Sequence, residues 1–157
     1  MAEWTRVVIH YGDGKIVKGT TQDFFPNRPS FHLIPASGGQ PVQVMCRMLK
    51  AAFFVKSFEG DRRRRDLPGF ITGPQETQQG KKIAVRFNDG EVLCGYANSY
   101  LPDREGFFLF PADSAGNNLR VYVVVASAVE VKVGPAAEAL AQKTLARSRA
   151  SGDSGDA

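Results

Sequence analysis

The sequence has little of the chemistry on which most enzymes and cofactor-binding proteins depend. It holds only two histidines, and neither has a thiol or carboxylate motif beside it. No G-x-S-x-G hydrolase elbow, phosphate-binding loop or dinucleotide fingerprint occurs in the chain. We therefore expect no catalytic residues, no metal site and no cofactor, and we interpret the protein as non-enzymatic.

Long apolar runs and a repeating set of cysteines are also missing. No segment approaches the ~20 apolar residues that a membrane-spanning helix needs, and the first residues lack the basic-then-apolar pattern of a signal peptide. Cys46 and Cys94 do not recur with the repeat described next, so we expect reduced thiols rather than a disulfide framework. These features predict a cytoplasmic protein of bacterial type that does not bind membranes.

The chain contains one pattern twice, at a constant offset of 76 residues. Residues 7–35 read VVIHYGDGKIVKGTTQDFFPNRPSFHLIP, and residues 83–111 read IAVRFNDGEVLCGYANSYLPDREGFFLFP. A tandem pattern of this kind indicates a duplicated structural unit.

Each copy begins with alternating apolar residues that lead to an Asp-Gly pair. Such pairs are typical of hairpin turns, because glycine and Asx residues tolerate the backbone angles that tight turns require. A metal or acid role for Asp13 and Asp89 is the weaker interpretation, because no second carboxylate recurs at a fixed spacing. We therefore expect two equivalent hairpins.

Four further features follow each hairpin: a strand with an internal glycine, a P-x-R loop, a strand ended by proline, and two more short strands. An internal glycine, Gly19 or Gly95, marks a bulge, a bend or a close backbone approach. Five short strands per copy predict an all-β chain of two small barrels. The predicted domains are a first barrel at residues 1–60, an arginine-rich linker at 61–80, a second barrel at 81–134, and a short helix with a disordered tail at 135–157.

This order of strands resembles the Sm-like barrel, an SH3-like fold of the Sm, LSm and Hfq proteins. The motifs D-G-x-φ-x-G, P-x-R and F-x-L-x-P, with a closing Ala-Val or Ala-Ala pair, are similar to those of an uncharacterised bacterial family of unknown function that occurs as tandem copies. The resemblance covers residues 5–58 and 81–133 and implies an architecture without an established activity. The RNA-contacting loop residues of Sm and Hfq proteins are not recognisable here, so the resemblance does not imply RNA binding.

Positive charge is concentrated at one place. The formal net charge of +4 equals the charge of four consecutive residues, here called the arginine run: Arg62, Arg63, Arg64 and Arg65. The run could bind phosphate backbones in a salt-dependent way, or it could be a solvated linker flanked by Asp61 and Asp66. Nucleic-acid binding, in particular RNA binding through this run and the basic first copy, is the second candidate function.

Two arginines recur in the P-x-R loops, Arg28 and Arg104. They could present guanidinium groups to a phosphate or carboxylate. Alternatively, each could hold its own loop through hydrogen bonds to carbonyls or through pairing with a nearby aspartate. We prefer the structural role, because the fold itself would require a residue that recurs.

Adjacent aromatic residues carry the leading functional hypothesis. Two neighbouring rings on a regular strand cannot both point inward, so one of each pair should cover either the other barrel or a partner. We therefore expect a binding or adaptor module that contacts an unidentified protein through four residues: Phe53, Phe54, Phe107 and Phe108. Open strand edges would also allow a homodimer.

Overall fold

The computed structural model describes residues 4–58, 76–77, 80–98, 100–101, 103–112 and 117–155, most of them in antiparallel strands. The first half contains five strands and a 3-10 turn at Cys46–Met48: β1 (Thr5–Tyr11), β2 (Ile16–Thr21), β3 (Ser30–Pro35), β4 (Val42–Met45) and β5 (Leu49–Val55). The second half follows a two-residue strand and has its 3-10 turn at Val125–Ser127: β6 (Glu76–Thr77), β7 (Gly80–Phe87), β8 (Val92–Ala97), β9 (Gly106–Pro111), β10 (Asn118–Val124) and β11 (Ala128–Val133). One helix, α1 (Pro135–Gly155), completes the described chain.

The strands form one continuous antiparallel sheet in the order β11-β7-β8-β9-β10-β5-β1-β2-β3-β4, with β6 paired to the start of β7. The prediction of a mainly β fold is confirmed, whereas the described strands form an open sheet in place of the two small barrels that were expected. The sheet passes from one half to the other because β5 pairs with β10 along residues such as Ala52 and Tyr122. We call this pairing the internal junction.

Both predicted hairpins are present. Asp13 Oδ1 accepts a hydrogen bond from the Lys15 amide, and Asp89 Oδ1 accepts one from the Glu91 amide. The glycine after each aspartate has a positive φ, 97° and 91°, which side chains of other residues rarely tolerate. The turn interpretation of the Asp-Gly pairs is therefore confirmed.

The internal glycines are sites of close backbone approach. Gly19 pairs with Pro35 and Gly95 pairs with Pro111, at corresponding places in the two halves. A Cβ atom at Gly19 would collide with the carbonyl oxygen of Ile34, and one at Gly95 would collide with that of Phe110. Any other residue at either position would therefore displace the neighbouring strand, β3 in the first half or β9 in the second.

The hydrophobic interior consists of two clusters, and each contains residues from both halves. The first-half cluster includes Tyr122 and Val124 from β10, and the second-half cluster includes Ala51, Phe53 and Val55 from β5. Successive side chains of a strand point to opposite faces, so β5 and β10 each contribute to both clusters. The halves therefore complete each other's cores.

Helix α1 packs on the face of the sheet opposite to the second cluster. Ala137 and Leu140 contact Ala84, and the buried Lys82 Nζ lies 2.5 Å from Glu138 Oε1. The helix spans 21 residues, which is longer than the short helix expected, and it includes most of the residues for which a disordered tail was expected. Nucleation is the unfavourable step of helix formation, and packing of the first turn against the sheet favours it. Each residue added afterwards forms one more backbone hydrogen bond, so the helix can extend. Among the described residues, no helix is long and apolar enough to cross a membrane.

Candidate binding site

The four phenylalanines predicted as an interaction surface lie mainly in the interior. Phe53, Phe54 and Phe107 are buried, and Phe108 is half-buried. Phe53 and Phe54 point to opposite faces of β5, and each face is covered by a hydrophobic cluster. The expectation of an exposed partner surface is corrected, because the other half of the chain covers the outward ring of each pair.

An aromatic cluster joins the halves on the first-half side of the internal junction. The Phe24 ring lies 5.2 Å from Phe54, 5.9 Å from Phe108 and 5.1 Å from Tyr122, all in edge-to-face arrangements. The guanidinium of Arg120 lies 4.6 Å from the Phe54 ring and 4.4 Å from the Phe108 ring. Burial lowers the pKa of Arg120. Sequence reasoning missed this arginine, although its alternation with Tyr122 on one strand places both on one face.

The predicted arginine sites are separated in the structure. Arg28 is exposed and lies over the Phe25 ring at 4.7 Å, which supports a role within its own loop. Arg104 is exposed and lines a cleft of about 340 Å³ between the halves. The arginine run lies outside the described residues, so its role stays a prediction.

The cleft that contains Arg104 has a mixed lining. Tyr122, Val124 and Cys46 are among its apolar groups, and Arg47 and Glu105 are among its charged groups. Burial raises the pKa of the Cys46 thiol, and the negative charge of Glu105 raises it further. A thiol held neutral in this way is a poor nucleophile. Cys46 is therefore not an activated nucleophile in this cleft.

Lys50 forms the main ionic contact between the halves. Its Nζ lies 2.7 Å from Asp89 Oδ2 and 2.6 Å from Glu91 Oε1, and its side chain is 11% exposed. Burial by itself lowers the pKa of Lys50, but the hydrogen bonds to both carboxylates outweigh it and raise that pKa. The Lys50 hydrogen bond is also the main reason that the pKa of Asp89 is lowered. One ammonium group and two carboxylates leave this structural ion cluster with a net negative charge, and both carboxylates are partly exposed.

A cavity of about 330 Å³ lies at the end of the second-half core. We call it the core-end cavity, and its lining comes from the ends of three strands and one loop: Gly80, Lys81, Ile83, Ala97, Asn98, Tyr100 and Val133. The corresponding place in the first half is filled by the aromatic cluster. Val133 pairs with Ile83 as Phe54 pairs with Val7, so a small side chain stands where the first half has a ring.

The cavity adjoins one of the two outer strands of the sheet. On β11, Val129 is 51% exposed and Val133 is 41% exposed; on β4, at the other end of the strand order, Val42 is 46% exposed. The opposite face of β11 carries Glu130, whose Oε2 accepts a hydrogen bond from Arg86 Nε at 3.0 Å. Of these exposed apolar residues of β11, Val133 lines the cavity, and the charge on the other face of the strand is paired.

The remaining findings concern metal ligands and the family to which the chain belongs. Within the part of the chain that the structure describes, no group of three or more His, Cys, Asp or Glu residues could hold a metal ion. No curated protein and no solved structure matches the chain. A model described as a family of unknown function, DUF6982, matches residues 3–134, and the chain therefore belongs to this uncharacterised family.

Proposed function

We propose that the chain is a non-enzymatic binding module that holds an extended segment of a partner protein at an open edge of its sheet. One observation carries the proposal. In the described residues β4 and β11 end the strand order, whereas their counterparts in the other half, β10 and β5, pair with each other. An edge strand presents backbone N–H and C=O groups with which an extended peptide can pair.

The side chains of the outer strands favour a different protein over a second copy as the partner. Lys132 and Glu130 stand on β11 where β5 has Phe53 and Ala51, and Gln43 stands on β4 where β10 has a buried tyrosine. If β4 of one copy paired with β11 of another as β10 pairs with β5, these polar groups would be buried among apolar side chains. Such burial is unfavourable unless the polar groups gain new hydrogen-bond partners. We therefore propose a monomer that binds another protein, in place of the homodimer that open edges would also allow.

The two halves also support the proposal that the chain is a tandem duplication of one Sm-like unit. The strand order and the 3-10 turn before the last strand recur in both halves. The pairing of the first strand with the internal glycine also recurs, as Val7 with Gly19 and Ile83 with Gly95. Duplication explains why β5 and β10 pair with each other within the chain, whereas their counterparts β11 and β4 stay at the ends of the described sheet.

Selection from a displayed library of random peptides on the immobilised full-length chain tests the proposed function. Enriched peptides are synthesised, and their binding is mapped by amide chemical shifts. We expect enriched peptides to perturb amides at residues 42–45 or 128–133. If no peptide is enriched, or if all peptides perturb other regions, the proposal is wrong.

The nucleic-acid hypothesis is tested by measuring RNA binding to the same protein. Anisotropy of labelled single-stranded RNA is recorded at about 50 and 200 mM salt, because phosphate contacts weaken steeply over this range. Tight RNA binding that weakens with salt, together with no peptide binding, would replace the protein-partner proposal.

A further inference from the structure

We propose that the core-end cavity receives an aromatic side chain from a partner segment that adds to β11. This inference rests on the proposed function and specifies its site and its ligand chemistry. The internal junction is the precedent within the same molecule: β10 pairs with β5, the last strand of the first half, and places Tyr122 in the first-half core.

The two halves match in register around the cavity. In the first half, Phe54 on β5 lies opposite Val7 on β1, and in the second half, Val133 on β11 lies opposite Ile83 on β7. Tyr100 occupies the loop position that corresponds to Phe24. Three residues that line the cavity, Ile83, Tyr100 and Val133, are thus counterparts of residues in the first-half cluster or packed against it.

The halves differ in what fills this space. The first-half cluster receives Phe108 and Tyr122 from the second half, with ring centroids 6.1 Å (Phe108–Phe54) and 5.1 Å (Tyr122–Phe24) from the rings they meet. The second half has Val133 in place of Phe54. Among the described residues, none supplies the counterparts of Phe108 and Tyr122 at the cavity. The missing rings correspond to the cavity of about 330 Å³. An apolar cavity of about 150 Å³ holds one benzene molecule, so this one has room for an aromatic side chain.

The chemistry of the site also selects against a second copy. At the positions that correspond to Phe108 and Tyr122, a second copy would offer His32 from β3 and Gln43 from β4. His32 is itself engaged, since its Nδ1 lies 2.7 Å from Asp23 Oδ2. An aromatic residue flanked by β-branched residues, on an extended segment of another protein, matches the cavity and the edge of β11 better.

The probe is a synthetic peptide with the sequence of β10, NLRVYVV, carrying a short lysine tail for solubility. If β11 accepts it as β5 accepts β10, its tyrosine lies opposite Val131 and reaches the cavity, as Tyr122 lies opposite Ala52. The peptide is titrated into the isotope-labelled full-length chain. We expect amide shifts at residues 80–83, 97–98 and 128–133, and a dissociation constant at least about tenfold weaker for the peptide NLRVAVV, because the alanine peptide buries less apolar surface.

Two protein variants are matched controls. Val133→Phe places a ring in the cavity from within, so we expect it to lose the tyrosine peptide while retaining a dispersed amide spectrum. Val42→Phe adds the same ring at the opposite outer strand, and we expect it to bind the peptide as the wild type does.

Two outcomes would overturn the inference. Equal affinity for the tyrosine and alanine peptides would remove the aromatic requirement and leave the proposed function standing if the selected peptides still bind a sheet edge. Absence of binding of the tyrosine peptide to the wild type would also overturn the inference, and failure of the peptide selection as well would remove the proposed function with it.

Discussion

Lys50 Nζ lies 2.7 Å from Asp89 Oδ2, so the start of β5 in the first half is bonded to the β7–β8 hairpin of the second half. The hydrogen bond from Lys50 lowers the pKa of Asp89 in the folded protein. A carboxyl group whose pKa is lowered by folding stabilises the protein above its unfolded pKa of about 3.9, and this stabilisation is lost as the pH falls through the lower folded value.

We therefore predict that Asp89→Asn reduces the loss of stability that the wild type shows as pH falls below about 4. Denaturant unfolding measured from pH 7 to pH 2 checks the prediction. Asp13→Asn is the matched control, because Asp13 makes the same turn contact, to the Lys15 amide, in the first hairpin. Identical acid profiles for wild type and Asp89→Asn would show that the Lys50 contact does not lower the pKa of Asp89.

The shared cores predict that neither half folds alone. A fragment ending before residue 59 would expose the face of β5 that carries Phe53, which in the full chain belongs to the second-half cluster. We expect residues 4–58 to show no cooperative unfolding transition, as measured by circular dichroism. A cooperative transition in this fragment would contradict the interdependence of the halves.

Single truncations on β5 should be costly on both of its faces. We expect Phe53→Ala and Phe54→Ala each to lower the free energy of unfolding by about 3–5 kcal/mol, because each removes a buried ring from a different cluster. Denaturant unfolding of the full chain measures both. A loss below about 1 kcal/mol for Phe53→Ala would instead indicate a ring that faces solvent.

Close backbone approach predicts a strict requirement for glycine at position 95. Gly95→Ala should destabilise the chain by about 2 kcal/mol or more, because the new Cβ collides with the backbone carbonyl of Phe110. Gly12→Ala is the control, since a Cβ there meets only the Met48 carbonyl oxygen at 3.6 Å, an ordinary contact. Thermal unfolding of both variants gives the comparison, and equal melting temperatures would contradict the prediction.

Arg120 should contribute to stability through its contacts with two rings. We expect Arg120→Ala to lower the free energy of unfolding by about 1–2 kcal/mol, because a half-buried guanidinium loses two cation–π contacts and its packed stem. Arg104→Ala, at an exposed position, should change stability by less than about 0.5 kcal/mol. If both variants lose the same amount in denaturant unfolding, the ring contacts are not the cause.

Much of the local structure could be predicted from the residues themselves. The Asp-Gly pairs predicted both hairpins, because the positive φ at Gly14 and Gly90 is a local requirement of the turn. The glycines at 19 and 95 predicted a bulge, a bend or a close backbone approach, and the structure shows close approach. The phenylalanine pairs predicted that one ring of each pair would cover the other barrel or a partner. The preferred alternative, an exposed surface for a partner, was corrected, because the other half of the chain covers these rings.

The strand alternation by itself determined which side chains share a face, since that depends on the two-residue period of each strand. The tertiary structure decided which strand edges meet, because backbone N–H and C=O groups are the same in every residue and carry no sequence signature of their partner. Pairing of β5 with β10 therefore converted two expected barrels into one open sheet. The same pairing filled one end of the first core with rings and left the equivalent end of the second core as a cavity.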